Sequence, residues 1–481
     1  MRFLWTFLGS LAALLFTAII LVVAARFGLF ALSVQPPAPQ AAVAKQVPNC
    51  SIPQNQPNLQ AVNANTTGGV YHARRITIPQ GMQIRLTSTL ILVADDHLQV
   101  DGIITMNAAA VRRGRLVNII LVCRNCNVVI GAQGQVGSMV TQAPAGPNSN
   151  RTALTAIASG GAGTNGGYVK IVAPSGSIDI QGTVEGFGGG DGGNANAIGA
   201  FAAAPGGLIR NGGEAVAVGG QAGAGGDVKL CAYEAVNVAG RVRGGLGGQG
   251  GNTTATAVNG KDAYARGGPS NEGGDVLIEG LSPTMQVFNT GTIVGGAVLW
   301  AGNASSTGGP GFRFGGGDAE SIGGPGHQGG TVTFVQCTVA RPVGTINSRV
   351  GGDGGFATAR AGIGASGRVI GWSGGDATAT GGNGGTPGAT PQIPTPTGIV
   401  AGGVSRGGAS VGTGGRAMAI GGSGGTTATG WGRGGSSGTG NATGGTGGQS
   451  GTPATPVSSP AVGPTGATGG TAVPAPSPGT P

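Results

Sequence analysis

Four segments of the chain open alike and then alternate: GGYVKIVAPSGSIDIQGTV from Gly166, GGDVKLCAYEAVNVAGRV from Gly225, GGDVLIEGLSPTMQVFNTGTI from Gly273 and GGTVTFVQCTVARPVGTI from Gly329. In the first, Val169, Ile171 and Ala173 alternate with Tyr168, Lys170 and Val172, Ile178 and Ile180 flank Asp179, and Val184 closes the unit. A period of two marks a half-buried strand, so each segment predicts strand, turn, strand, turn, short strand. The second unit sets Val228, Leu230, Val236, Val238 and Val242 in matching places, and the third sets Val276, Ile278, Met285, Val287 and Ile293. The fourth fits loosely through Val332, Phe334, Val339, Val343 and Ile346, with Arg341 and Pro342 interrupting its second strand.

Three earlier segments fit the same frame without the glycine prefix: Ile119, Leu121, Val128, Ile130 and Val136; Leu90, Leu92, Leu98, Val100 and Ile104; and Val70, Ile76, Ile78 and Met82. The starts at Val70, Leu90, Ile119, Val169, Val228, Val276 and Val332 are spaced 20, 29, 50, 59, 48 and 56 residues apart. The strand block keeps its size while the glycine tract after it grows. A solenoid tolerates insertion at one corner of its coil, which predicts an all-β parallel β-helix with long Gly-rich loops on one face. A β-sandwich of hairpins is the competing architecture.

Composition explains why repetition is needed. Of 481 residues 106 are glycine, only 4% are aromatic and 9% charged, too little for a core of large side chains. Within the glycine tracts a shorter motif recurs: GGEAVAVGG from Gly212, GGFATARAG from Gly354, GGDATATGG from Gly374 and GGRAMAIGG from Gly414. These read as thin strands that stack through small side chains, or as flexible arms, since glycine's entropy opposes ordering.

The organisation that follows is an N-terminal membrane anchor or signal segment (1–34), a Pro/Gln-rich spacer (35–57), the solenoid (58–356), a weakly ordered Gly/Ala/Thr-rich extension (357–449) and a disordered Pro/Thr/Gly tail (450–481). Leu4 to Ala25 carries no charge, and at about 1.5 Å per residue a helix of that length crosses a hydrocarbon layer of about 30 Å. This predicts a single transmembrane helix with the bulk of the chain extracytoplasmic. The alternative is a secreted chain whose signal peptide is cleaved after Val23-Ala24-Ala25 or Ala42-Val43-Ala44.

The GG-[D/Y/T]-V openings and the x-V-x-V-x-G that follows, from about Val70 to Val350, resemble the glycine-rich coils of bacterial right-handed β-helix surface proteins. That pectin-lyase-like group includes the filamentous haemagglutinin-type adhesins. The resemblance implies export and surface contact rather than a reaction. In composition alone the glycine tracts are similar to mycobacterial PGRS repeats.

Net charge is +9 at a pI of about 9.9. No basic run is interleaved with aromatics, which argues against nucleic acid; the charge reads as a solvated surface without a partner or, failing that, as one for anionic surface glycans or lipid headgroups, besides the membrane and self-association. Arg112, Arg113 and Arg115 form the densest basic group, with Arg74 and Arg75 two units earlier; these five are the candidate anion or glycan contacts. A carbohydrate-active enzyme on such a fold needs carboxylates converging from neighbouring coils. The tight acidic group Asp95, Asp96 and Asp101, with His97 alongside, is expected to occupy a turn; Asp227 and Asp275 share one repeat position and read as turn-end aspartates, the alternative being a stack on successive coils.

Cys50, Cys123, Cys126, Cys231 and Cys337 form an odd, scattered set that describes no disulfide framework. The lone CxxC of Cys123 and Cys126 lacks the further ligands of a zinc site and reads as thiols packed in a strand. No cofactor, metal or catalytic residue is expected. The reading is a membrane-anchored structural or adhesive surface protein without catalysis; the rivals are a polysaccharide-active enzyme and a glycan-binding module on the same fold.

Overall fold

A computed structural model of the chain describes Cys50 and residues 62–107, 116–138, 145–200, 212–311, 315–342, 344–349, 351–365, 372–389, 391–395, 398–401, 413, 415–423, 436–446 and 472–474. The chain divides into two compact units, Met1–Pro37 and Ala38–Pro481. The first, with the apolar segment Leu4 to Ala25, lies outside the described residues. Among the described residues there is no helix, hence none long and apolar enough to cross a membrane.

One coil shows the plan. Val169–Ala173, Ile178–Ile180 and Thr183–Glu185 are followed by a glycine tract, the strands Ala195–Gly199 and Glu214–Val218, and a second glycine tract that leads to the next Val228–Ala232. Every strand pairs in parallel with its equivalent one coil on. Val169 meets Val228, Val228 meets Val276 and Val276 meets Val332; Val184, Val242, Ile293 and Ile346 form one column of the third strand. The expected parallel solenoid is therefore present, in register, and the hairpin sandwich is not. One antiparallel pair is described, Gln392–Thr395 with Gly398–Ala401. Its Ile393 is buried in the valine core beside Thr338–Pro342 and closes that end of the stack.

Alternation builds two separate cores. The first three strands of each coil turn Val, Ile and Leu inward to one continuous cluster running from Ile76 to Ile346. The first coil differs slightly from expectation: Ile84, not Met82, pairs with Ile104, and Val70 pairs with Ile91 and faces out. In the third unit Val287 pairs with Val236, so that Asn289 takes the fully buried place of Val238.

The other two strands of each coil turn alanine inward, from Ala156 and Ala158 through Ala195, Ala197, Ala215 and Ala217 to Ala417 and Ala419. The two alanine ladders face each other closely. Where serine replaces alanine, Ser306 and Ser321 share a buried hydrogen bond of 2.8 Å across the gap. The short motifs from Gly212, Gly354, Gly374 and Gly414 supply strands of these ladders, and Ala357–Arg360, Ala377–Thr380, Ala417–Ile420 and Gly440–Thr443 continue them past residue 356.

The glycine tracts are not loops thrown out at a corner; they lie between the two cores. Their amides follow a period of three: Gly186, Gly189 and Gly192 donate to the carbonyls of Arg243, Leu246 and Gln249 one coil on. The neighbouring amides bond the opposite way, tract to returning tract, in an unbroken series in which Gly193 donates to Gly161, Gly220 to Gly193, Gly251 to Gly220 and Gly268 to Gly251, at 2.8–2.9 Å. A three-residue turn of extended backbone leaves N–H and C=O groups free to bond sideways in this manner. Glycine is required for the closeness. A Cβ on Gly226 would lie 1.9 Å from the Gly167 carbonyl oxygen, and one on Gly251 2.1 Å from that of Gly193.

The Gly226→Ala variant is expected to lower unfolding stability by about 3 kcal/mol or to prevent folding, because backbone rather than a pliable side chain blocks the methyl group. Thr254→Ala, on the exposed side of an alanine ladder, should change it by less than about 0.5 kcal/mol. Urea denaturation of both variants checks the contrast.

Candidate functional site

The corner that carries Arg74 and Arg75 is built by a β-bulge. Ala73 pairs with Ala94 and Arg75 with His97, so the single residue Arg74 stands opposite two, Asp95 and Asp96. Both carboxylates therefore reach partners on neighbouring coils. Asp96 takes the exposed Arg74, while Asp95 lies 3.0 Å from His72 Nε2 and 3.7 Å from Arg124. The aspartates sit in mid-strand, not in the expected turn. Asp101 stays apart, accepting from Gln99 Nε2 at 2.6 Å.

This arrangement bears on the anion contacts. Arg74 is matched by an acid, which raises its already high pKa through the hydrogen bond and charge of Asp96. Arg75 is exposed and makes no ion pair among the described residues. Arg112, Arg113 and Arg115 lie outside the described residues.

Elsewhere the acids and amides serve the stack. Asn148, Asn194, Asn252 and Asn303 form a column in which each side-chain oxygen accepts the backbone N–H of the next coil, at 2.7–2.8 Å, ending on Phe356. Asp262, Asp318 and Asp376 form another, ending on Thr439. Asp227 and Asp275 do stack: the Asp275 N–H donates to Asp227, and Asp275 in turn accepts from the Thr331 N–H and hydroxyl. These oxygens satisfy amides at the strand entrances and lock each coil's register.

The aspartate column bears a like-charge cost that the asparagine column lacks. Burial, opposed by the hydrogen bond from Asp376 and reinforced by its two charged neighbours, raises the pKa of Asp318. The N–H and hydroxyl of Thr439 lower that of Asp376.

The cysteines differ from expectation. Cys50 is disulfide-bonded to Cys231, 181 residues away, and Cys123 to Cys126; Cys337 is free, buried, and pushed up to about 11 by burial, hence a protonated thiol. Scattered positions along the chain could not disclose a pair brought together by the outward face of the first ladder. There Cys50 packs against Ile91, Val93, Ile120, Val122 and Val172, a second apolar cluster on the outside of the solenoid. Cys50, Cys231 and Glu279 bring potential metal ligands together, but the disulfide occupies both sulfurs, and Glu279 holds Lys229 at 2.7 Å. A further basic group, Arg241, Arg243 and Arg349, is not legible in the sequence, because Arg349 lies 106 residues beyond Arg243.

No protein-family model and no curated protein matches the chain. Among solved structures it is similar, at a TM-score of 0.11 and 19% identity, to a springtail antifreeze protein from Granisotoma rainieri, a bundle of nine polyproline type II helices, over 47% of this chain and 85% of that one. The three-residue period of the glycine tracts rests on this chain's own hydrogen bonds.

Asp318→Asn keeps the acceptor oxygen and removes the charge. Because the folded pKa of Asp318 lies above its ordinary 3.8, ionisation costs stability as pH rises through the folded value. The variant should therefore melt higher than the parent at pH 7, and the difference should vanish below pH 3.8. Thermal melts across that range measure it. Asp376→Asn should do the opposite, since a lowered pKa stabilises above the unfolded value and is lost on acidification.

Proposed function

We propose that the chain is an exported structural or adhesive protein of the cell surface, tethered through Leu4 to Ala25, and that it performs no catalysis. The observation that carries this reading is the use of its acidic side chains. Asp227, Asp262, Asp275, Asp318 and Asp376, on successive coils, each accept a neighbouring coil's amide instead of converging on a common groove. Carboxylates committed in this way hold register and have little left for acid-base work on a glycan.

Export is favoured by the two disulfides, which persist in oxidising compartments. The pattern-level resemblance to pectin-lyase-like, haemagglutinin-type surface proteins points the same way. A net charge of +9 suits contact with anionic surface glycans, and the long outward faces of the ladders suit self-association.

Intact cells expressing the protein, treated with a membrane-impermeant maleimide, test the reading. Cys50 and Cys231 should label only after an impermeant reductant is added outside. Labelling that requires lysis, with both thiols free beforehand, would contradict export.

A further inference from the structure

The outer side of the third valine ladder carries an unpaired basic group. Glu185, Arg243, Val294 and Asn347 occupy one column of that ladder. Arg241 shares their side of the strand, because the core-facing Val242 separates it from Arg243. Arg349 follows Asn347 by two residues, and its backbone is held on both sides: its N–H donates to the Gly330 carbonyl at 3.1 Å, and its carbonyl accepts from Gly388 at 2.9 Å. From Arg243 to Asn347 is two rungs, about 10 Å at ordinary strand spacing, with Val294 between. Val294 faces away from the core and is nevertheless buried.

Arg241 is exposed, and the half-buried Arg243 and Arg349 each carry one buried nitrogen without the partner that a buried donor requires. The Nε atoms of Arg243 and Arg349 and the Oδ1 of Asn347 are buried without a hydrogen-bond partner, and none of the three arginines makes an ion pair among the described residues. Burial first, then the charges of Arg349 and Arg241, lower the pKa of Arg243, and Glu185 opposes them; burial and Arg241 lower that of Arg349. The corner at Arg74 provides a contrast, since an aspartate from the adjacent rung answers that arginine directly.

We infer that Arg241, Arg243 and Arg349 form a binding site for a tetrahedral oxyanion, sulfate or phosphate, free or as the monoester of a polymer. Three positive charges less the one of Glu185 leave two, which matches a dianion better than a single carboxylate. Guanidinium groups donate in a fixed planar fork, so two from one rung, Arg241 and Arg243, and a third two rungs on, Arg349, suit an anion with several oxygens. The terminal guanidinium nitrogens of the half-buried Arg243 and Arg349 would bond two of them, and the more exposed Arg241 a third. The site does not depend on where the protein resides, so its failure and that of the surface reading are distinguishable.

Titration calorimetry and thermal melts of the purified full-length chain test it, with sodium sulfate and sodium phosphate against sodium chloride at matched ionic strength. Saturable binding of sulfate or phosphate is expected, with a rise in melting temperature that chloride does not give. Affinity should fall at least tenfold in Arg243→Gln and Arg349→Gln and less in Arg241→Gln, which is exposed enough to fold whatever its effect; Arg151→Gln, on an alanine ladder, should bind as the parent does. A sulfated oligosaccharide bound tenfold more tightly than inorganic sulfate assigns the site to a polymer, and equal affinity assigns it to the free ion. A chloride effect as large as that of sulfate, or undiminished binding in all three ladder variants, overturns the inference.

Discussion

Peptide-to-peptide hydrogen bonding between glycine tracts is the interaction on which the rest of this structure depends. A valine core lies on one side of those tracts and an alanine core on the other, and the tracts carry the chain from one to the other and back in every full coil. The alanine core has little to sustain it. A buried methyl group contributes about 0.8 kcal/mol, while fixing one residue's backbone costs about 1–2 kcal/mol. The alanine ladders therefore rely on the parallel strand bonds, the Asx columns and the glycine layer that joins them to the valine stack. Because the tracts pack backbone on backbone, a single Cβ on either side is enough to break the spacing.

The division of labour among residue types follows. Val, Ile and Leu fill the larger core, alanine the thinner one, glycine the layer between, and Asn and Asp the strand entrances. Repetition commits these Asn and Asp side chains to the strand entrances, while Arg75, Arg241, Arg243 and Arg349 lie on the outward faces of the ladders.

Much of this is legible from period two alone. The matching of Val169, Val228, Val276 and Val332, and of Val184, Val242 and Ile293, follows from alternation and holds in the structure. So does the shared repeat position of Asp227 and Asp275, which stack. The glycine layer was not legible as such, because its order has a period of three and resides in amides, not in side-chain character. A tract such as GFGGGDGG shows one apolar residue, Phe187, which is buried in the valine core, and nothing in its side chains marks the period of its amides. The bulge that sets Asp95 beside Asp96 and the bond from Cys50 to Cys231 were hidden for another reason: each depends on how neighbouring coils register, which no single repeat contains.

Amide hydrogen exchange, read residue by residue, reaches the glycine layer most directly. The amides of Gly193, Gly220, Gly251 and Gly268 should exchange as slowly as those of Val228 and Val276 in the valine ladder, since each donates to a carbonyl within the same cooperative stack. Exchange of these glycines at the rate of an unstructured peptide, with the valine strands still protected, would mean that the tracts are independent arms and that the two cores are not joined as described.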